Sequence, residues 1–113
     1  MGDKMNIFGE YLRNLRKSRG LSQRDLADKI GVSYTYISKI ENAALKPPSN
    51  KTIGKMAEAL DADAEVLLFN ARKIPDDIFD ILEKDFRIIS VLRDIPKDKL
   101  SQAIDDYLKN KSI

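Results

Sequence analysis

One short stretch of the chain gathers side chains suited to hydrogen bonding with an anionic or base-like ligand. Tyr34, Thr35, Ser38 and Lys39 lie within six residues, preceded by Gln23, Arg24 and Ser33 and followed by Asn42 and Lys46. These are cations, amides and hydroxyls, groups that recognise a ligand through donated and accepted hydrogen bonds. Residues for bond-breaking chemistry are scarce. The chain has no Cys and no His, which removes the usual zinc ligand sets, thiol nucleophiles and imidazole bases. No glycine-rich phosphate loop occurs. Asp76 with Asp77, and Asp105 with Asp106, look like paired carboxylates, but adjacent helix residues point in different directions, so the spacing assembles no acid–base pair. They read as solvated charges, the first two favourably placed in a helix's first turn. The expectation is a binding protein, not an enzyme, with no metal and no cofactor.

Charge distribution agrees with an anionic partner. Residues 1–57 carry 11 Lys or Arg against 5 Asp or Glu, an excess of +6, whereas residues 58–113 carry 9 against 13, an excess of −4. The first half has the sign a polyanion requires, and the second would be repelled by it. No apolar run approaches the length of a membrane span and no apolar leader stands at the N-terminus, so no membrane association and a cytoplasmic location are expected.

The residues singled out need rigid elements to hold them, and the apolar spacing supplies these as helices. Ile7, Phe8, Tyr11, Leu12 and Leu15 recur at three and four residues, predicting a first helix over Asn6 to Arg19, capped by Asn6 and stopped by Gly20. Ser22 with Asp25 three residues later forms a capping box for a second helix that buries Leu26, Ala27 and Ile30 and ends at Gly31. Ser33 caps a third, Tyr34 to Glu41, with Ile37 and Ile40 inward and Tyr34, Thr35, Ser38 and Lys39 outward. Pro47 and Pro48 make residues 42–48 a loop. A fourth helix begins at Ser49 or Asn50 and uses Ile53, Met56, Ala57 and Leu60. A short fifth, Ala64 to Phe69, uses Val66, Leu67 and Leu68. The predicted class is all-α, with a first domain over residues 1–71 and a helical extension over 72–113.

Ala27, Gly31, Val32, Ile37 and Ile40 sit at the offsets of a helix-turn-helix. A small residue stands where two helices approach, a glycine follows four residues later for a positive-φ turn, and apolar residues lock the second helix onto the first. With these come Leu-Ser-Gln-Arg-Asp-Leu-Ala at 21–27, Gly-Val-Ser at 31–33 and Tyr-Ile-Ser-Lys-Ile-Glu-Asn at 36–42. On these motifs residues 7–68 resemble the lambda/434-type phage repressor and Cro family, the xenobiotic-response-element regulators. The resemblance implies a five-helix DNA-binding domain, dimeric binding to an inverted-repeat operator on double-stranded DNA, and transcriptional regulation. It assigns base reading in the major groove to Tyr34, Thr35, Ser38 and Lys39. Gln23, Asn42 and Lys46, with Arg24 and Ser33 as further candidates, would contact phosphate. Arg16 and Glu41 would form a structural ion pair. The Gln or Asn that reads adenine in the best-known phage members is missing from the groove-facing helix.

Beyond Ala71, Pro75 and Pro96 divide the chain into three helical pieces, Asp76 to Lys84, Phe86 to Arg93 and Lys97 to Lys109. Phe86, Ile89 and Leu92 form one apolar stripe, and Leu100, Ile104, Tyr107 and Leu108 form another. These stripes could close a homodimer, pack within the chain, or bind a different protein such as an antirepressor or a partner toxin. Two functions compete accordingly: a dimeric sequence-specific repressor, or an antitoxin or other interaction module whose DNA-binding domain autoregulates its operon.

Overall fold

In the computed structural model, which describes the backbone of residues 4–111 and the side chains of residues 8–111, helix follows helix and no strand occurs among the described residues. The order is α1 (Lys4–Ser18), α2 (Gln23–Ile30), α3 (Tyr34–Glu41), α4 (Asn50–Ala59), α5 (Ala64–Asn70), α6 (Asp76–Lys84), α7 (Arg87–Asp94) and α8 (Lys97–Lys111). No helix among the described residues is long and apolar enough to cross a membrane.

Local chemistry sets most of these boundaries. Ser22 Oγ accepts from the Asp25 N–H at 3.0 Å while Asp25 Oδ2 accepts from the Ser22 N–H at 2.9 Å, so the capping box is closed in both directions. Its hydrogen bonds hold the exposed Asp25 carboxyl below the usual carboxylate range. Ser33 and Ser49 cap α3 and α4 by accepting from the Tyr36 and Thr52 N–H groups. Gly31 ends α2 at φ +73°, a left-handed conformation that costs other residues 1–2 kcal/mol as an order of magnitude.

The chain divides into two compact units, residues 1–75 and 76–113. The first is built on one core. Phe8 and Leu12 come from α1; Leu26, Ala27 and Ile30 from α2; Ile37 and Ile40 from α3. Ile53, Met56, Ala57 and Leu60 complete it from α4 and its end, with Leu67, Leu68 and Ala71 from α5 and its end. The division falls after Pro75, four residues beyond the composition change at Ala71. Ala71 is itself buried, and Asn50 Nδ2 donates to the Ile74 carbonyl at 3.2 Å, which ties the following residues back to α4.

Some sequence expectations are displaced. α1 starts at Lys4, so Asn6 lies within the helix and not at its cap; the side chains of Asn6 and Ile7 lie outside the described residues. Val66, expected in the core, is 42% exposed, as the apolar run at 66–69 wraps more of the helix than the core can cover. α7 begins at Arg87, with Phe86 as a cap residue whose side chain makes no capping bond. α8 continues to Lys111.

In the second unit α6, α7 and α8 contain no buried residue. Phe86, Ile89 and Leu92 are exposed, as are Ile104, Tyr107 and Leu108, and Leu100 is half-buried. Both apolar stripes are thus uncovered along most of their length.

Candidate nucleic-acid interface

The third helix owes its orientation to the turn before it. Ala27, the small residue of α2, is 1% exposed, and its carbonyl accepts from the Gly31 and Val32 N–H groups, the latter at 3.0 Å. Ile37 and Ile40 then bury one face of α3 against the core. What remains outward is the row expected from sequence: Tyr34, Thr35 and Lys39 are exposed and Ser38 is half-buried. A helix presenting short and cationic side chains from its first two turns has the width and the donor set that a major groove admits.

Two of these expected contacts are coupled to each other. The guanidinium carbon of Arg24 stands 4.7 Å above the centroid of the Tyr34 ring, within cation–π range. Arg24 is thereby drawn from α2 toward the start of α3. Its charge is thus placed beside the outward row of α3.

Below this surface Glu41 is completely buried at its side chain and organises the donors around it. Arg16 Nε donates to Oε2 at 2.7 Å and Arg16 Nη2 to Oε1 at 2.9 Å, a two-pronged pair whose geometry suits guanidinium and carboxylate. Arg16 also donates through Nη1 to the Leu21 carbonyl at 2.8 Å, so it fixes the α1–α2 connection as well. Gln23 Nε2 donates to Glu41 Oε1 at 3.0 Å, and Arg13 Nε approaches the same oxygen at 3.4 Å. Burial pushes the Glu41 carboxyl up, but the hydrogen bonds from Arg16 and Gln23, with the Arg16 charge and a bond from Arg13, outweigh it and hold the group below the usual carboxylate range. Donating to Glu41 in turn raises the Arg16 pKa. No buried side-chain nitrogen or oxygen among the described residues lacks a partner.

Of the residues expected to touch phosphate, Gln23 is bonded to this carboxylate and Asn42 is linked to it through Arg13. Gln23 begins α2 and reaches Glu41 directly. Asn42, immediately after α3, accepts at Oδ1 from Arg13 Nη2 at 2.7 Å, and its Nδ2 lies 3.5 Å from Ser38 Oγ. Lys46 is exposed in the following loop. The Ser33 hydroxyl oxygen serves as the α3 cap.

Two residues that sequence reasoning passed over belong to the same arrangement. Arg13 lies one helical turn before Arg16, and that i, i+3 spacing was a readable signal that a second guanidinium shares the face meeting Glu41. Gly9 lies one turn earlier again. A Cβ there would stand 2.6 Å from the Glu41 carbonyl oxygen and 2.8 Å from that of Ile40, so the missing side chain is what lets α1 approach the end of α3.

Comparison with known proteins agrees with this geometry. A family model described as helix-turn-helix matches residues 12–67. The HTH-type transcriptional repressor RghR of Bacillus subtilis is 44% identical over 72 residues, covering 64% of this chain and 53% of RghR. The chain spans about half the length of the curated relatives it matches first. The solved structure of SinR, described as the master regulator for biofilm formation, in complex with DNA is 34% identical with a TM-score of 0.51, covering 54% of this chain and 97% of that one. A structure of the SinR–SinI protein complex aligns over 94% of this chain and 99% of its own, at 26% identity and a TM-score of 0.54.

Proposed function

The chain belongs to the helix-turn-helix family of Cro/C1, xenobiotic-response-element regulators, and on that premise we propose that it is a sequence-specific transcriptional regulator of double-stranded DNA, a dimeric repressor at an inverted-repeat operator. The observation that carries the reading is the outward row of α3, Tyr34, Thr35, Ser38 and Lys39, set between Gln23 and Asn42, which the Glu41 cluster holds in place. Gln23, Asn42 and Lys46 position the protein on the phosphate backbone, and the α3 row reads base edges. Arg24 and Tyr34 act as a stacked unit at the start of that row. The place of action is the cytoplasm, with the DNA.

Base-reading and phosphate-contacting residues predict different losses. Lys39→Ala or Thr35→Ala is expected to weaken binding to the selected operator by about 1–3 kcal/mol while leaving mixed-sequence DNA nearly unaffected. Parallel titrations on the two duplexes check this, and equal losses on both would remove the reading role. Lys46→Ala is expected to weaken binding to every duplex and to reduce the slope of log affinity against log salt by about one. An unchanged slope would remove Lys46 from the phosphate set.

The test of the whole proposal is selection of bound fragments from random DNA by the purified chain. An enriched inverted repeat supports specific, dimeric binding. Uniform weak recovery overturns it in favour of a protein-interaction module. The uncovered stripes of α7 and α8 favour a protein contact in either case, as a homodimer or with a different protein such as an antirepressor or a toxin. That the fold aligns along nearly its whole length with a regulator solved in a protein complex supports the same view.

A further inference from the structure

We infer that Arg13 is a further ligand of the DNA backbone phosphate and the residue that orients Asn42 for it, an inference that rests on the DNA-binding reading above. Charge around Glu41 is unequal. One buried carboxylate faces two guanidiniums, and Arg16 takes the short, two-pronged contacts at 2.7 and 2.9 Å. Arg13 makes only the long one, at 3.4 Å, and its side chain stays 35% exposed against 7% for Arg16. The cluster therefore carries one positive charge in excess, and that charge sits at its solvent edge.

The hydrogen bonds of Arg13 give the excess charge a direction. Nη2 donates to Asn42 Oδ1 at 2.7 Å and approaches the Glu41 carbonyl oxygen at 3.5 Å. These contacts and the one to Glu41 use Nε and Nη2, and among the described residues no bond engages the N–H groups of Nη1, which can face a ligand. By engaging Oδ1, Arg13 also decides which way the Asn42 amide faces: the oxygen turns inward to the cation and the NH2 turns toward Ser38 on the reading helix, 3.5 Å away. A part-exposed guanidinium beside an exposed amide is a donor set that a phosphodiester oxygen accepts from.

The experiment is a salt series of binding to a mixed-sequence DNA duplex, with the full chain, R13Q and R13K, each checked by thermal melting. R13Q is expected to lower the slope of log affinity against log salt by about one, and R13K to restore the slope while binding more weakly, since an ammonium lacks the fork that holds Asn42. As a readout on the unaltered protein, the NMR signals of Arg13 Nε–H and the Asn42 side-chain NH2 are expected to shift when the duplex is added. Wild-type slopes in both variants, or unmoved Arg13 and Asn42 signals in a protein that binds the duplex, would overturn the inference and leave DNA binding intact. Failure of the unaltered chain to bind the duplex at low salt would overturn the DNA-binding reading and this inference with it.

Discussion

Glu41→Ala is expected to cost about 3–5 kcal/mol, the range for breaking a buried ion pair from one side. The carboxylate is fully buried, and its removal leaves the Arg16 guanidinium, 7% exposed, with only the Leu21 carbonyl as acceptor. Gln23 and Arg13 lose their shared acceptor as well. For a domain of this size each kcal/mol moves the melting temperature by about 4–8 °C, so the midpoint should fall by more than about 10 °C. A midpoint within a few degrees of wild type would mean that the pair contributes no net stability. The double change Arg16→Met with Glu41→Leu should recover much of that loss, because apolar residues of similar volume satisfy a buried site without desolvating charge.

The same carboxylate sets an acid limit. Its pKa is lowered in the folded state, so its contribution to stability is present above the ordinary glutamate value of 4.5 and is lost as pH falls through the lower folded value. Wild-type melts should show that loss as the pH is taken below 4.5. In Glu41→Gln this component should be absent, the remaining pH dependence coming from other carboxyls such as Asp25.

Gly9→Val is expected to cost roughly 3 kcal/mol, the upper end for forcing atoms into a packed site. The obstacles are the backbone carbonyl oxygens of Glu41 and Ile40, at 2.6 and 2.8 Å from the new Cβ, and neither can rotate aside as a side chain would. The gain in helix propensity over glycine offsets only a few tenths of a kcal/mol. Gly54 in α4 supplies the contrast, for a Cβ there meets nothing within 4 Å. Gly54→Ala should therefore stabilise the domain by about 1 kcal/mol. Chemical denaturation of both variants checks the pair, and equal effects would show that α1 is free to shift away from α3.

The contrast between these glycines also marks what was legible in the sequence. Caps and stops are local rules, so Ser22 with Asp25, Gly31 and Ser33 could be placed to the residue, and the start of α4 to Ser49 or Asn50. Apolar spacing identified Ile37, Ile40, Ile53, Met56 and Leu60 as core because each recurs on one clear face. Val66 escaped that logic since the unbroken apolar run at 66–69 defines no face. Gly9 and Gly54 look alike in a sequence, and only the end of α3 packed on α1 distinguishes them. Arg13 is similar: its spacing puts it on the Arg16 face of α1, but its partners are 28 and 29 residues away, and which of them it joins is a question of tertiary placement. The left-handed residues that follow α3, α4 and α5 are Ala43, Asp61 and Arg72, none of them glycine, so those ends carried no helix-stop signal of the usual kind.

Because one carboxylate oxygen of Glu41 receives Arg13, Arg16 and Gln23 together, substitutions at those three positions are not independent events. Residues sharing a partner deviate from additivity by about 0.5–3 kcal/mol, so the effect of a change at one depends on what occupies the other two. The surface row of α3 carries no such debt to Glu41 through Thr35 or Lys39. Thr35 and Lys39 can therefore change one at a time, whereas Arg13, Arg16 and Gln23 are open to change only as a set.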